Sequence, residues 1–298
     1  MCIHDLFKHK TVFSLEVFPP RRQSSNGRII KTLYDLNTVQ PDFISVTLGA
    51  GGTTRSQQTT KIADIIQNTF HVPAVAHVPG LYQTKAQVIN LIKQLQQSNV
   101  KNILALRGDK IKGLQSEGDF QHANQLVRFI HANFPKIDIA GACYPYPHPE
   151  SQNYVDDIEH LKLKVDAGCT HLISQLFFDN QTFYNFEERT ALAGIHVPIE
   201  AGIMPCTSKK QIERITEIAH VPIPEKYRHM MNQYADDPKA IKDAGIAYAI
   251  DQIIDLVSHG VDGIHLYTMD KADVTQRIWD ATKNIFASKR NQHRHVLS

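Results

Sequence analysis

A glutamate stands near the end of a short apolar segment at the start of the chain. Glu16 lies in the run Thr-Val-Phe-Ser-Leu-Glu-Val-Phe at 11–18, which two prolines follow. The alternation and the many β-forming residues predict a strand, and the prolines end it because proline has no N–H to donate. The sequence therefore predicts a carboxyl group held rigidly at the carboxyl edge of a strand.

Polar residues follow most of the other predicted strands in the same way. Such groups can form hydrogen bonds to a ligand, although polar residues at strand ends also occur in scaffolds without a site. Their recurrence favours a functional edge. The residues are Glu16, Thr47, His77, Arg107 with Asp109, Tyr144, Gln175, the turn 202–205 and Tyr267.

The segments that must position these residues alternate between two periodicities. Apolar runs bounded by turn residues predict strands, and most intervals between them carry a helical period with polar residues opposite. The strands recur at about 30 residues, the length of one βα unit, except for a longer interval before the last. This pattern predicts an α/β protein, a (β/α)8 TIM barrel whose site lies at the carboxyl ends of the strands. The predicted strands are 11–18, 43–47, 74–78, 102–106, 138–143, 171–177, 198–203 and 263–267.

Residues 1–298 are expected to form a single domain of this kind, with local departures. The segment 220–238 contains three prolines and cannot be one continuous helix, so we expect an insertion or a lid beside the mouth of the barrel. Asp270 is a candidate cap for the final helix. From about residue 287 the chain is basic and polar, which predicts a frayed tail.

Composition excludes several classes of protein. Lys and Arg total 32 against 30 for Asp and Glu, a formal charge of +2, which argues against a nucleic-acid surface. No apolar run approaches the roughly 18 residues that span a bilayer, and the first residues do not resemble a secretory signal. The four cysteines are widely spaced and form no CxxC pair, as in a reduced cytoplasmic protein. The strand ends lack a compact His/Asp/Glu cluster, so no metal is expected.

Nucleotide binding has only weak local signals. The chain has neither GxGxxG nor a Walker loop, and the glycine-rich stretch 49–52 is more typical of a turn. Asp157, His160 and Lys164 share one stripe of a predicted helix, where Lys164 could meet a diphosphate and Asp157 a ribose hydroxyl. A solvated face of ion pairs would give the same pattern, and both interpretations stay open at this point.

Seven stretches together resemble the methylenetetrahydrofolate reductase family, in the order in which that family has them. Each is a modest signal alone, but their order from about residue 12 to about residue 275 makes a chance match improbable. The stretches are SLEVFPPR at 14–21, FISVTLGA at 43–50, ALRGD at 105–109, YPYPHPE at 144–150, LKLKVDAG at 161–168, QLFFD at 175–179 and HLYT at 265–268.

The resemblance implies a (β/α)8 barrel that holds FAD non-covalently and reduces 5,10-methylenetetrahydrofolate to 5-methyltetrahydrofolate with NADH or NADPH. The two half-reactions would share one flavin face in a ping-pong cycle. Glu16 matches the general acid that protonates a folate nitrogen. Asp109 matches a catalytic aspartate that holds the pterin and sits near the flavin, where its negative charge favours hydride donation. Gln175, Gln211 and Lys271 match substrate contacts.

The resemblance also implies a set of FAD contacts. These are Thr47, His77, Leu106, Arg107, Gly108, Asp109, Ala123, Tyr144, His148, Asp157, His160 and Lys164. It further implies a cytoplasmic homo-oligomer that supplies methyl groups for methionine synthesis. Because the chain ends near the end of the barrel, no S-adenosylmethionine-responsive domain is expected.

Some positions depart from the family pattern. Val78-Pro79 stands where bacterial members have Leu-Thr, His160 and Leu163 stand where some members have Asn and Arg, and Ile215 takes the place of an aromatic residue. These changes leave open an alternative, a folate- or flavin-binding barrel that acts as a carrier or interaction subunit. They also leave the choice between NADH and NADPH open.

Overall fold

The computed structural model describes residues 1–19, 26–48, 53–110, 113 and 118–289. Eight parallel strands form a closed barrel in which each strand pairs with the next along the chain and β8 pairs with β1. The predicted (β/α)8 fold is therefore confirmed. The strands are β1 (Val12–Val17), β2 (Phe43–Val46), β3 (Ala74–Pro79), β4 (Asn102–Leu106), β5 (Asp138–Cys143), β6 (His171–Ser174), β7 (Ile199–Ile203) and β8 (Gly263–Tyr267).

Helices cover the outside of the barrel. They are α1 (Asn26–Asn37), α2 (Thr53–Asp64), α3 (Lys85–Gln97), α4 (Ala123–Asn133), α5 (Tyr154–Asp166), α6 (Asn180–Leu192), α7 (Lys209–Ala219), α8 (Glu225–Gln233), α9 (Pro238–His259) and α10 (Ala272–Lys289). A 3₁₀ helix, Ile3–Lys8, precedes β1, and a π-helical turn, Ile65–Thr69, follows α2. None of the helices in the described part of the chain combines the length and apolar character needed to cross a membrane.

The barrel is closed at its amino-terminal end by the 3₁₀ helix. Ile3 and Phe7 are buried against apolar residues near the starts of the strands, among them Val12 and Phe43. The Ile3 N–H donates to the Asn102 side chain at 3.2 Å, and both the backbone and the ring of His4 bond the Asp138 carboxylate at 3.0 Å. Since this end is filled, access to the barrel axis lies at the carboxyl ends of the strands.

Strands β1, β2, β6 and β7 are shorter than the sequence predicts, and hydrogen bonding explains where β6 and β1 end. β6 ends at Ser174, because the N–H of Leu176 bonds the side-chain oxygen of Gln175 at 2.9 Å instead of a neighbouring strand. β1 ends at Val17, because the N–H of Phe18 donates to the Asp270 carboxylate at 3.0 Å. The predicted helix cap at Asp270 is wrong, because α10 begins at Ala272 and the carbonyl of Lys271 accepts its first helical N–H, that of Thr275.

The proline-rich segment 220–238 is not one helix, as predicted. It contains α8, and α9 begins at Pro238 with Asp237 as its N-cap, which accepts from two backbone N–H groups. Tyr227 of α8 stacks on Tyr248 of α9 with ring centroids 4.0 Å apart. No residue of α8 lines the cavity described below, so the helix is an insertion on the outside of the barrel and not a lid. The glycine stretch 49–52, residues 20–21 and the tail 290–298 lie outside the described residues.

Candidate functional site

A cavity of about 1840 Å³ opens at the carboxyl ends of the strands. Every residue that the sequence assigns to catalysis, substrate or cofactor lies on its wall. These residues are Glu16, Thr47, His77, Leu106, Arg107, Gly108, Asp109, Ala123, Tyr144, His148, Asp157, His160, Lys164, Gln175, Gln211 and Lys271. The barrel therefore brings residues from distant parts of the sequence to one space, although their roles stay predictions.

Glu16 is a nearly buried acid in this wall, with 6% of its surface exposed. Its Oε2 lies 3.5 Å from Nε2 of His77 and 3.7 Å from Nε2 of His265. Its backbone oxygen accepts from the hydroxyl of Thr268 at 2.6 Å. The carboxyl group therefore has a fixed place between two imidazoles, from which it can exchange a proton with a bound molecule.

His77 is neutral in this environment. Burial lowers its pKa to about 4, a shift that the nearby Glu16 opposes and that His265 reinforces. Its Nε2 is buried and has no hydrogen-bond partner among the described residues. Since buried polar atoms are almost always paired, this nitrogen is suited to a ligand in the cavity.

A second carboxyl group lies deeper in the barrel, below Glu16. The hydroxyl of Ser14 bonds Oε1 of Glu200 at 2.7 Å and Nδ1 of His265 at 2.6 Å. Burial raises the pKa of Glu200 well above its usual range, which favours the protonated form of this carboxyl group. Sequence reasoning missed Ser14 and Glu200, although polar residues inside apolar strand segments were a signal for them.

The loop after β4 forms the rim near Asp109. Gly108 has a φ of +89°, and a Cβ there would lie 3.0 Å from that of Pro79, so glycine allows the loop to turn against β3. Arg107 pairs with Glu150 at 2.6 Å, which lowers the pKa of that carboxyl to about 2. Asp109 is exposed at this rim. Glu150 is a cavity residue to which the sequence analysis gave no role.

The stripe on α5 faces the cavity and is not a row of mutual ion pairs. Asp157 accepts from the hydroxyl of Ser151 at 2.7 Å and from the N–H of His148 at 3.3 Å. The ammonium of Lys164 donates to the carbonyl of Ala142, and burial lowers its pKa. His160 is exposed, 3.7 Å from Asp156.

Tyr144 and the start of the β5–α5 loop complete this part of the wall. The Tyr144 ring meets that of His148 edge-on at 5.0 Å, and burial raises its pKa to about 12. The phenol is therefore a hydrogen-bond donor at neutral pH.

Amide and ammonium groups form the opposite wall. Oε1 of Gln211 accepts from the N–H of Thr207 at 3.1 Å and from the ammonium of Lys271 at 3.3 Å, and that ammonium also bonds the Thr207 hydroxyl. Gln175 lies between this group and Tyr144 along the barrel and has one amide oxygen engaged by its neighbour. Thr207 ties Gln211 to Lys271, and the sequence analysis did not identify it.

Comparison with known proteins places this geometry in context. The family model described as methylenetetrahydrofolate reductase matches residues 3–283. The chain belongs to the methylenetetrahydrofolate reductase family. The resemblance found in the sequence is therefore confirmed.

The relatives fall into two groups by length. The chain is 31% identical over 265 residues to 5,10-methylenetetrahydrofolate reductase of Escherichia coli, covering 89% of this chain and 88% of that protein. It is 30% identical over 273 residues to methylenetetrahydrofolate reductase 1 of Schizosaccharomyces pombe, covering 90% of this chain but 45% of that protein. The chain thus spans about half the length of the eukaryotic relatives of the family.

A solved structure with the same fold is that of a Clostridium thermocellum protein that binds two copies of 5-methyl-5,6,7,8-tetrahydrofolic acid. It has a TM-score of 0.66 and 11% identity, and the match covers 96% of this chain and all of that one. At this identity the similarity shows the barrel fold alone.

The departures from the family pattern also lie on the cavity wall. Pro79, Leu163 and Ile215 all line it, on β3, α5 and α7 respectively. In β3, Pro79 lies beside Leu106 of β4 in the strand register. None of these changes touches Glu16, whose neighbours on β3 and β8 are histidines.

One group of possible metal ligands occurs in the described residues, and it lies at the other end of the barrel. Cys2, His4 and Asp138 come within ligand distance of one another beside the 3₁₀ helix. The Asp138 carboxylate already accepts from His4 and from the hydroxyl of Thr170, which accounts for the cluster as an attachment of the chain's first turn.

Proposed function

We propose that this protein reduces 5,10-methylenetetrahydrofolate to 5-methyltetrahydrofolate, using FAD and NADH or NADPH in a ping-pong cycle. The observation that carries the proposal is the position of Glu16, a nearly buried acid on the wall of a cavity in a member of this family. The 5-methyltetrahydrofolic acid bound by the Clostridium thermocellum protein is the product expected here.

The cavity residues fit a flavin dinucleotide. The cavity exceeds the roughly 300–1,000 Å³ of an ordinary ligand pocket, which leaves room for a cofactor together with a substrate. The unpartnered Nε2 of His77 needs a polar partner, which a bound cofactor can supply. Lys164 and Arg107 supply cations for a diphosphate, and the Asp157 carboxylate is an acceptor for a ribose hydroxyl.

When bound, FAD would carry the hydride from the nicotinamide to the folate methylene group. The protein's part is to bind, orient and protonate. Glu16 would give a proton to the folate nitrogen, which opens the ring to the reactive iminium. Asp109, at the rim, would hold the pterin by hydrogen bonds.

Folate and nicotinamide donor would use Gln175 in turn, and Gln211 and Lys271 would contact the folate. Gln175 still has its amide N–H₂ group available for a hydrogen bond to either molecule. Gln211 and Lys271 share Thr207, so they present one amide and one ammonium group in a fixed relation. That pair suits the glutamate carboxylates of a folate.

The test is an anaerobic stopped-flow experiment on the purified flavoprotein with Glu16→Gln. The variant should retain yellow FAD and be bleached by NADH or NADPH as fast as the wild type. Its reoxidation by methylenetetrahydrofolate should fall by about 100-fold or more, because the proton donor is gone. The matched control is Glu217→Gln, which makes the same substitution at an exposed carboxylate on α7 and should leave both half-reactions unchanged.

Two results would contradict the proposal. A wild-type protein that takes up no FAD, or whose flavin neither donor bleaches, is the folate- or flavin-binding carrier and not the reductase. Normal folate reduction by Glu16→Gln removes the acid from its role. We further propose a single-domain catalytic barrel that acts in the cytoplasm as a homo-oligomer, which sedimentation of the purified protein would test.

A further inference from the structure

The loop after β8 has an unusual backbone next to the acid. Met269 and Asp270 have φ values of +50° and +56°, so two successive residues that are not glycine occupy the left-handed region. This region costs free energy for residues with a Cβ, and it persists only where surrounding contacts hold it. Both residues line the cavity.

The contacts that hold this loop end on the strand that carries Glu16. The hydroxyl of Thr268 donates to the Glu16 backbone oxygen at 2.6 Å, and the Thr268 N–H approaches the same oxygen at 3.3 Å. Two residues on, the Asp270 carboxylate accepts from the N–H of Phe18 at 3.0 Å. The hydroxyl of Thr268 also accepts from the N–H of Asp270 at 3.1 Å.

These bonds form a brace around the acid. They replace the strand pairing that β1 loses at its end, and they fix the backbone on both sides of Val17. No other bond from the Phe18 N–H is made within the described residues, so the Asp270 carboxylate alone satisfies it. The left-handed turn at Met269 and Asp270 is what aims that carboxylate at β1.

We propose that Asp270 is a positioning residue for the folate step, and that it acts by holding the Glu16 segment against β8. The inference rests on the proposed function, because it concerns the acid of that reaction. The geometry separates two properties of Asp270: the oxygen that accepts from Phe18, and the negative charge. Asparagine keeps the first and removes the second, while alanine removes both.

The charge has its own consequence for pH dependence. Burial raises the pKa of Asp270, and the neighbouring Glu16 raises it further. The other titratable groups that face Glu16 are His77 on β3 and His265 and Tyr267 on β8. Of these, His77 and Tyr267 have pKa values shifted so as to stay neutral near pH 7. Asp270 is therefore the carboxyl neighbour whose ionisation can alter proton donation by Glu16.

The experiment measures both half-reactions of Asp270→Ala and Asp270→Asn by anaerobic stopped flow across pH. In Asp270→Ala, reoxidation of the flavin by methylenetetrahydrofolate should slow by about 100-fold, the cost of misplacing a reacting group by about 1 Å. Its bleaching by the nicotinamide donor should not change. Asp270→Asn should restore most of the folate rate, with the alkaline limb of its pH profile moved to lower pH.

The matched control is Asp273→Ala, which removes an exposed carboxylate three residues away that pairs with Lys242 and bonds nothing near the acid. It should leave both half-reactions and the pH profile as in the wild type. Equal folate rates in Asp270→Ala and wild type would overturn the inference, and so would an equal loss in both half-reactions. A wild type without folate reduction would instead refute the proposed function, so the two failures are distinguishable.

Discussion

A methyl group added at Gly245 should lower the stability of the protein and also disturb the cavity wall formed by Gln211 and Lys271. It lies in α9 against the backbone of the β7–α7 loop, and a Cβ there would stand 1.8 Å from the carbonyl oxygen of Cys206. Side-chain carbons essentially never come within 3.0 Å of such an atom. In Gly245→Ala, α9 and the loop must therefore separate by about 1.2 Å.

The magnitude follows from what has to move. Because the clash is with backbone, no rotamer change can relieve it, so we expect the upper part of the usual 1–3 kcal/mol for overpacking, about 3 kcal/mol. For a domain of this size that lowers Tm by about 5 °C. Cys206 precedes Thr207, which joins Gln211 to Lys271, so KM for methylenetetrahydrofolate should rise while bleaching by the nicotinamide donor is unaffected.

The assays are thermal unfolding followed by circular dichroism, and steady-state and half-reaction kinetics. The control is Gly27→Ala in α1, where a Cβ meets nothing within 4 Å and alanine should be neutral or stabilising by up to about 1 kcal/mol. A Tm for Gly245→Ala within 1 °C or so of the wild type, about the effect of only a few tenths of a kcal/mol, would refute the packing argument.

Two further predictions concern buried charge. Lys164→Met should weaken FAD binding by roughly tenfold to a hundredfold, the value of one charge-assisted hydrogen bond, as measured by flavin fluorescence on dilution. The control is Lys162→Met, because the ammonium of Lys162 pairs with Asp166 on the outer face of α5. Equal FAD affinities in the two variants would contradict the assignment of Lys164. The buried His171, like His77, has a pKa lowered to about 4 by burial, so between about pH 6.5 and 4 only the unfolded chain takes up its proton. The free energy of unfolding should therefore fall as pH decreases through that window, by up to about 3 kcal/mol for each histidine. Urea titrations at several pH values should show that the free energy of unfolding of His171→Gln depends less steeply on pH. Burial raises the pKa of Glu200, so above about pH 4.5 this group makes the free energy of unfolding fall as pH rises, the opposite direction. An unchanged pH dependence of the free energy of unfolding in His171→Gln would contradict the prediction.

The sequence predicted the barrel and the residues at the carboxyl ends of its strands because both follow from local patterns. Each strand could be found from its apolar run, and parallel strands in a closed barrel bring their carboxyl ends together whatever their separation in sequence. That is why Glu16, Thr47 and Gln175 could be placed at one edge of the barrel without coordinates, whereas Gln211 and Lys271 came from the resemblance to the family.

What the sequence could not provide are contacts that depend on exact approach. The bond from Phe18 to Asp270 joins residues at opposite ends of the chain, and only the left-handed backbone at Asp270 makes it possible. An aspartate before a helix is typical of a cap, so the local signal favoured the wrong partner. The Ser14–Glu200 pair was missed for a related reason, since strand periodicity shows which residues point inward but not which ones meet.

The pairing of β1 with β8 also bears on the order in which the barrel folds. The threonine that grips the Glu16 backbone lies 252 residues further along the chain, and the histidine at 265 is almost as distant. Before β8 has folded, β1 has no partner on the side where β8 will pair, so the segment that carries Glu16 is not yet held in place. Closing so long a loop costs entropy, which the pairing of β8 with β1 must offset. The Glu16 segment would gain its braced position in one late folding event, when β8 pairs with β1 and closes the barrel.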